Sequence, residues 1–285
     1  MGKFSRTTSL MRASWDVLKQ DKELLLFPLL SGVCCVLVLA SFAGPILAMT
    51  DWQAASEAVV AQGVPGSDGR ITATQAWHML TLFLFYCTNY FVIIFFNAGL
   101  IACAQIRMEG GDPTVSDGLR AAWARLPAIA GWAVLAGTVG MLLRLIEQRS
   151  NLVGKIVVGL LGIAWSLTSF LVVPILVIDN EGPVGALQRS AAMLKKTWGE
   201  QLIGNFSFGL IFMLLALPGI LVLVVGVTAQ SVTLIVFAVL YFIGIALAQS
   251  ALQGIFQAAL YLYMRDGEAP EGFEAAALQA SIGHG

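Results

Sequence analysis

The chain has 285 residues, 58% of them hydrophobic and 12% charged, with a formal net charge of −1. Soluble domains run nearer roughly 45–50% apolar and about 25% charged, so a water-exposed globule of this composition has nowhere to place its apolar excess, and lipid is the expected solvent. The near-neutral balance gives no general attraction to nucleic acid.

The N-terminal segment, residues 4–18, sets Phe4, Met11, Trp15 and Leu18 on one helical face with Thr8 between them. Lys3, Arg6, Arg12 and Lys19 lie mostly away from that face. This is an amphipathic helix by spacing, and its tryptophan and basic residues suit the inner membrane surface. The first long apolar run, residues 24–49, is interrupted only by Gly44-Pro45. It far exceeds the roughly 7–15 residues of a signal-peptide core, so a retained helix is expected. Five more runs follow at 77–106, 127–146, 153–178, 202–227 and 232–264. About 20 apolar residues cross the hydrocarbon core, and a lipid-bathed backbone must satisfy its own polar groups. The expected fold class is therefore all-α, an integral membrane bundle of about six transmembrane helices. The sixth run is long enough to tilt or to emerge into water.

Twelve Lys and Arg residues flank one side of these runs and four flank the other. The positive-inside rule then expects both termini in the cytoplasm of a multi-pass inner-membrane protein. Arg144, Glu147, Arg149 and Lys155 dissent from this bias, and local pairing at the outer headgroup level is expected for them.

The amphipathic pattern returns twice. Met11-Arg12-Ala13-Ser14-Trp15-Asp16-Val17-Leu18 resembles Leu119-Arg120-Ala121-Ala122-Trp123-Ala124-Arg125-Leu126. A third copy spans residues 187–196, its Leu194-Lys195 pair matching Leu18-Lys19. Each copy precedes two apolar runs. The junctions also recur, as Glu109-Gly110-Gly111-Asp112-Pro113, Asp179-Asn180-Glu181-Gly182-Pro183 and Arg265-Asp266-Gly267-Glu268-Ala269-Pro270. Glycine there permits a left-handed helix end and proline stops continuation. The chain thus reads as one membrane domain of three pseudo-repeats, 1–108, 109–180 and 181–266, each an interfacial helix plus a transmembrane hairpin. A short helix or tail, 267–285, follows. All units point the same way, unlike the inverted repeats of many transporters.

Residues 14–30, Ser-Trp-Asp-Val-Leu-Lys-Gln-Asp-Lys-Glu-Leu-Leu-Leu-Phe-Pro-Leu-Leu, resemble the opening of a bacterial and archaeal membrane-protein family that carries only a domain-of-unknown-function label. Residues 189–200 are similar to that family's second strong block. The layout also resembles the membrane domain attached to some glycerophosphodiester phosphodiesterases, here without a catalytic domain. The resemblance implies multi-pass topology and brings no catalytic residues.

Chemistry-bearing residues are few. Cys34, Cys35, Cys87 and Cys103 fall inside apolar runs without metal-site spacing, and read as packing residues. His78 and His284 stand apart from carboxylates and cysteines, so no metal, cofactor or general base is assigned, and no enzyme is expected. Pro28, Pro45, Pro174 and Pro218 each remove a helix donor. The turn-rich Gly63–Gly69 stretch of the 50–76 loop reads as a connector open to an envelope partner. The sixth run carries Gln249, Gln253 and Gln257 at four-residue spacing, beside Ser250, Gly254 and Ala258. The second carries Asn89 and Asn97 roughly on one face, extended by Gln105, and Asn205 and Ser207 sit early in the fifth.

Two readings stay open. In the first, Trp15, Trp123 and Trp198 anchor a non-enzymatic component that binds membrane lipids or a protein partner, and the amides are interhelical hydrogen bonds. In the second, Asn89, Asn97, Gln249, Gln253 and Gln257 line a polar path between spans two, five and six for a small or lipid-like solute. No Asp or Glu lies deep in any span, which argues against proton coupling.

Overall fold

The structure is a computed structural model that describes residues 3–49, 73–197, 207–275 and 278–279. Among these residues all regular elements are helical. They are α1 (Lys3–Gln20), α2 (Leu26–Met49), α3 (Ala73–Met108), α4 (Val115–Ala124), α5 (Leu126–Arg149), α6 (Leu152–Thr168), α7 (Val172–Ile178), α8 (Pro183–Thr197), α9 (Ser207–Thr228) and α10 (Val232–Asp266). A 3₁₀ turn, Lys22–Leu25, joins α1 to α2. Six stretches are long and apolar enough to cross a membrane: Lys22–Gly44, Leu80–Met108, Leu126–Glu147, Val153–Ile178, Ile211–Thr228 and Val232–Asp266. The protein is an all-α membrane protein. Residues 50–72 of the expected 50–76 loop, Trp198, Asn205 and the expected start of the fifth span at 202 lie outside the described residues, and residues 73–76 belong to α3.

Burial is concentrated at one end of the bundle. The core gathers Leu10, Val17 and Leu18 of α1, residues 98–104 of α3, residues 171–177 and the C-terminal half of α10. Along α10, residues 232–251 rise about 30 Å, one hydrocarbon thickness; half of them are exposed and only Ala238 and Ala251 are buried. Beyond them Leu252, Ile255, Ala258, Ala259 and Tyr261 are fully covered. The extra length of the sixth span therefore enters a packed protein layer, not water. Exposed aliphatic side chains such as Val36 and Leu37 of α2, Leu221 of α9 and Leu240 of α10 mark the remote, outward-facing halves.

Ion pairs tie the packed end together. Arg107, ending α3, binds Asp21 and Asp112. Asp179, after α7, receives Arg189 of α8 at 2.6 Å and Arg265 of α10 at 3.7 Å, and accepts from the Tyr261 hydroxyl. Arg189 also binds Glu181 at 2.7 Å, and that bond raises the guanidinium pKa above its ordinary value. The three junctions share a backbone feature: Gly110, Asn180 and Gly267, each three residues before a proline, have φ of +86°, +60° and +77°. The reversal permits each preceding helix to end and the next segment to start within a few residues.

The fourth span, read as one run, is broken. Val172 N–H bonds the Ser169 carbonyl and Phe170 N–H bonds the Leu167 carbonyl, both tighter than α-helical spacing. Pro174 cannot donate to the Phe170 carbonyl four residues back. Three backbone groups are thereby left without helical partners, and side chains fill all three. The Ser190 hydroxyl donates to the Thr168 carbonyl at 2.6 Å and accepts from Leu171 N–H at 3.2 Å. Gln257 donates to the Phe170 carbonyl at 3.2 Å. A break within a lipid-spanning segment persists only where protein supplies such partners.

The amphipathic face of α1 is rotated from the expected one. Leu10, Ser14, Val17 and Leu18 are buried, whereas Met11 and Trp15 lie on the flank. Close packing against α10 selects the narrower residues; the larger Trp15 is left 42% exposed. The middle positions aligned across the three amphipathic segments, Ser14, Ala122 and Ser190, are small and fully covered in all three cases.

Candidate functional site

Two glycines seat the start of the first span. A Cβ on Gly99 would lie 2.6 Å from Phe27 Cε1, and one on Gly118 would lie 2.5 Å from Phe27 Cζ and 2.6 Å from the Gly99 carbonyl. Only bare backbone lets α3, α4 and the Phe27 ring meet there. The α4 N-terminus is fixed by a capping box: Asp117 N–H donates to Thr114 Oγ1, and Thr114 N–H returns to the Asp117 carboxylate. The Thr114 hydroxyl also donates to that carboxylate at 2.6 Å, and these bonds lower the Asp117 pKa. On the other side, Gly254 lets α10 approach Leu100 and Asn97 of α3. Pro28 sits in the first turn of α2, where its missing N–H has no helical acceptor anyway.

Between α2, α3 and α10 this leaves a crevice of about 210 Å³. Ser31, Asn97, Ser250, Gln253 and Gln257 give it polar walls, and Phe27, Ile93 and Leu100 give it apolar ones. Ser250 and Gln253 are exposed at its mouth. Asn97 stands about 15 Å along α3 from Arg107, and Gln253 lies just past the 30 Å apolar stretch of α10, so the crevice lies near the packed, ion-paired end of the bundle.

Three of the five expected path residues, Asn97, Gln253 and Gln257, therefore share one cavity. Asn89 and Gln249 are not part of its lining. Asn89 donates to the Phe85 carbonyl of its own helix at 3.0 Å. Among the described residues the third wall comes from the first span, and the described part of α9 packs on the opposite face of α10. There Met11, Trp15, Phe212, Leu215, Tyr241 and Ile245 bound an apolar groove of about 460 Å³. Helical spacing alone revealed the amide stripe but not which neighbour it faces. Ser31 was missed, as a lone serine in an apolar run carries no signal. Gln105, the extension of the α3 face, donates to Glu109 at 2.9 Å.

The tryptophans differ. Trp15 faces the apolar groove, with the Lys19 ammonium 5.9 Å from its ring centroid. Trp123 is 68% exposed and meets the Phe95 ring edge-on at 6.2 Å. Large rings at this level, half in apolar contact, suit a membrane interface.

No curated protein matches the chain. A family model does match, over residues 76–272. That stretch holds α3 to α10 with both the α3 and α10 walls of the crevice, and the block at 189–200, but not the Phe27 and Ser31 wall. The chain belongs to the family of unknown function DUF6159.

Proposed function

We propose that this protein is a lipid-binding component of the membrane, without catalysis, and that the crevice between α2, α3 and α10 is where lipid is held. The observation that carries this reading is a set of uncharged amides and hydroxyls, Ser250 and Gln253 exposed among them, beside apolar side chains near the ion-paired end of the bundle, a level we assign to the lipid headgroups. Hydrocarbon cannot satisfy them, and an unsatisfied polar group there costs several kcal/mol. The ester carbonyls and hydroxyls of a lipid backbone match Asn97, Ser250 and Gln253 in donors and acceptors, while an acyl chain matches Phe27, Ile93 and Leu100. The Lys and Arg bias of the flanks favours the cytoplasmic leaflet of the inner membrane for this crevice. Trp15 and Trp123 would hold the packed layer at that surface.

A solute path draws on the same amides but needs them to continue across the membrane. Asn89, about 12 Å farther along α3 than Asn97, has its amide on its own backbone, which favours a pocket over a path. The test is lipid analysis of protein purified in mild detergent. Wild type should retain a lipid enriched over the bulk extract, and Asn97→Leu with Gln253→Leu should lose that enrichment while remaining folded by circular dichroism. An identical lipid profile in both proteins would refute the reading.

A further inference from the structure

A second groove, distinct from the crevice, lies at the other end of the bundle. It is bounded by α3, α5 and α6 and encloses about 580 Å³. Tyr86, a wall residue, stands about 30 Å along α3 from Arg107, one membrane thickness from the ion-paired end. Of the groove's four glycines, Gly137 is packed on Cys87 and the other three are open. A Cβ on Gly159 or Gly162 would meet nothing within 4 Å, and one on Gly140 would meet only the Tyr90 hydroxyl at 3.8 Å.

The rim carries charge. Arg144 donates to the Tyr86 hydroxyl, and its guanidinium carbon lies 5.6 Å from the Tyr86 ring centroid. Glu147 lines the same rim three residues on. Of the four residues expected to pair locally here, the Arg149 side chain lies outside the described residues, and among those that are described neither Arg144 nor Glu147 makes an ion pair. A phenol is a neutral partner for one of five guanidinium donors. Arg144 and Glu147 close the spanning stretch Leu126–Glu147, the end of a span where charged side chains meet lipid headgroups.

We propose that this groove binds a phospholipid whose headgroup carries both a phosphate and a primary ammonium. The phosphate accepts from the free guanidinium edge of Arg144, the ammonium donates to Glu147, and one acyl chain lies over the open glycine floor. Charge complementarity selects this occupant. A headgroup with phosphate alone would set its anion beside the Glu147 carboxylate, and a quaternary ammonium has no N–H to give it.

The test uses the full chain in phosphatidylcholine vesicles doped with spin-labelled phosphatidylethanolamine, phosphatidylglycerol or phosphatidylcholine. The readout is the motionally restricted fraction of each label. The ethanolamine lipid should be restricted at least about three-fold more than either other lipid. Arg144→Gln should bring it to the level of the others, and Glu147→Gln should abolish its preference over phosphatidylglycerol. Gly159→Leu, which fills the floor without changing charge, should lower it as well. Water-soluble glycerophosphoethanolamine in excess should not displace the lipid. Equal restriction of the three lipids, unchanged behaviour of any of the three variants, or displacement by the soluble headgroup would overturn the assignment.

Discussion

Ser190→Ala removes one hydroxyl that serves two backbone groups of the broken fourth span, the Thr168 carbonyl and the Leu171 N–H. Ser190 is fully buried, so water cannot replace it. Leaving a buried backbone group unsatisfied costs about 1–3 kcal/mol. Two such groups give about 2–4 kcal/mol, allowing for partial closure of the gap by the Pro174-containing turn. A matched control is present in the same molecule. Ser14 occupies the aligned position in α1, equally buried, yet its hydroxyl has no partner among the described residues. Ser14→Ala removes a desolvated polar atom and no hydrogen bond, so it should fall within about 0.5 kcal/mol of wild type or be more stable. Reversible unfolding in mixed detergent and dodecyl sulfate micelles, followed by helicity, measures both. A Ser190→Ala protein as stable as wild type, or a Ser14→Ala protein equally damaged, would refute the account of the break.

Three further outcomes follow from the packing. Gly118→Ala forces a Cβ to within 2.6 Å of the Gly99 carbonyl and should cost about 1–3 kcal/mol as an overpacked contact; Gly32→Ala, with open space around it, should be neutral or stabilising by up to about 1 kcal/mol in the same titration. Asp21→Asn leaves Arg107, largely covered, without its principal counter-charge and should destabilise by about 3 kcal/mol. The Asp117 carboxyl has a folded pKa below its ordinary value, so its contribution is complete above the unfolded pKa and disappears as pH falls through the folded one. The stability gap between wild type and Thr114→Ala should therefore narrow on acidification below about pH 4, and a gap constant down to pH 2 would contradict the capping-box assignment.

Sequence reading located the six spans because apolar length is sufficient for that purpose. It read residues 153–178 as continuous because hydropathy does not register a change of helical hand-off. Pro174 was visible, but the serine and glutamine that make its break tolerable are 16 and 83 residues away. The expected α1 face included Trp15 because bulk and amphipathic spacing both favoured it. The actual face is set by how closely α10 can approach, which depends on Ser14 being small. The crevice was half legible: Asn97, Gln253 and Gln257 stood out as amides in apolar runs, whereas its first-span wall depends on Phe27 seating against Gly99 and Gly118, a contact between distant segments. The Arg144 groove was hidden for a similar reason, since scattered glycines acquire meaning only when two helices turn their bare sides to the same space.

Concentrating the core at one end gives the molecule a handle and tines that pack in pairs. The apolar lengths of α2, α9 and the first half of α10 share few partners with the buried cluster around Ile101 and Tyr261. Mismatch with a thinner or thicker bilayer can then be met by tilting a packed pair together, as with α9 and the first half of α10, which Tyr241 joins through the Leu215 carbonyl, at fractions of a kcal/mol per Å and without repacking the handle. Such a shape keeps its grip while the surrounding sheet of lipid swells or compresses.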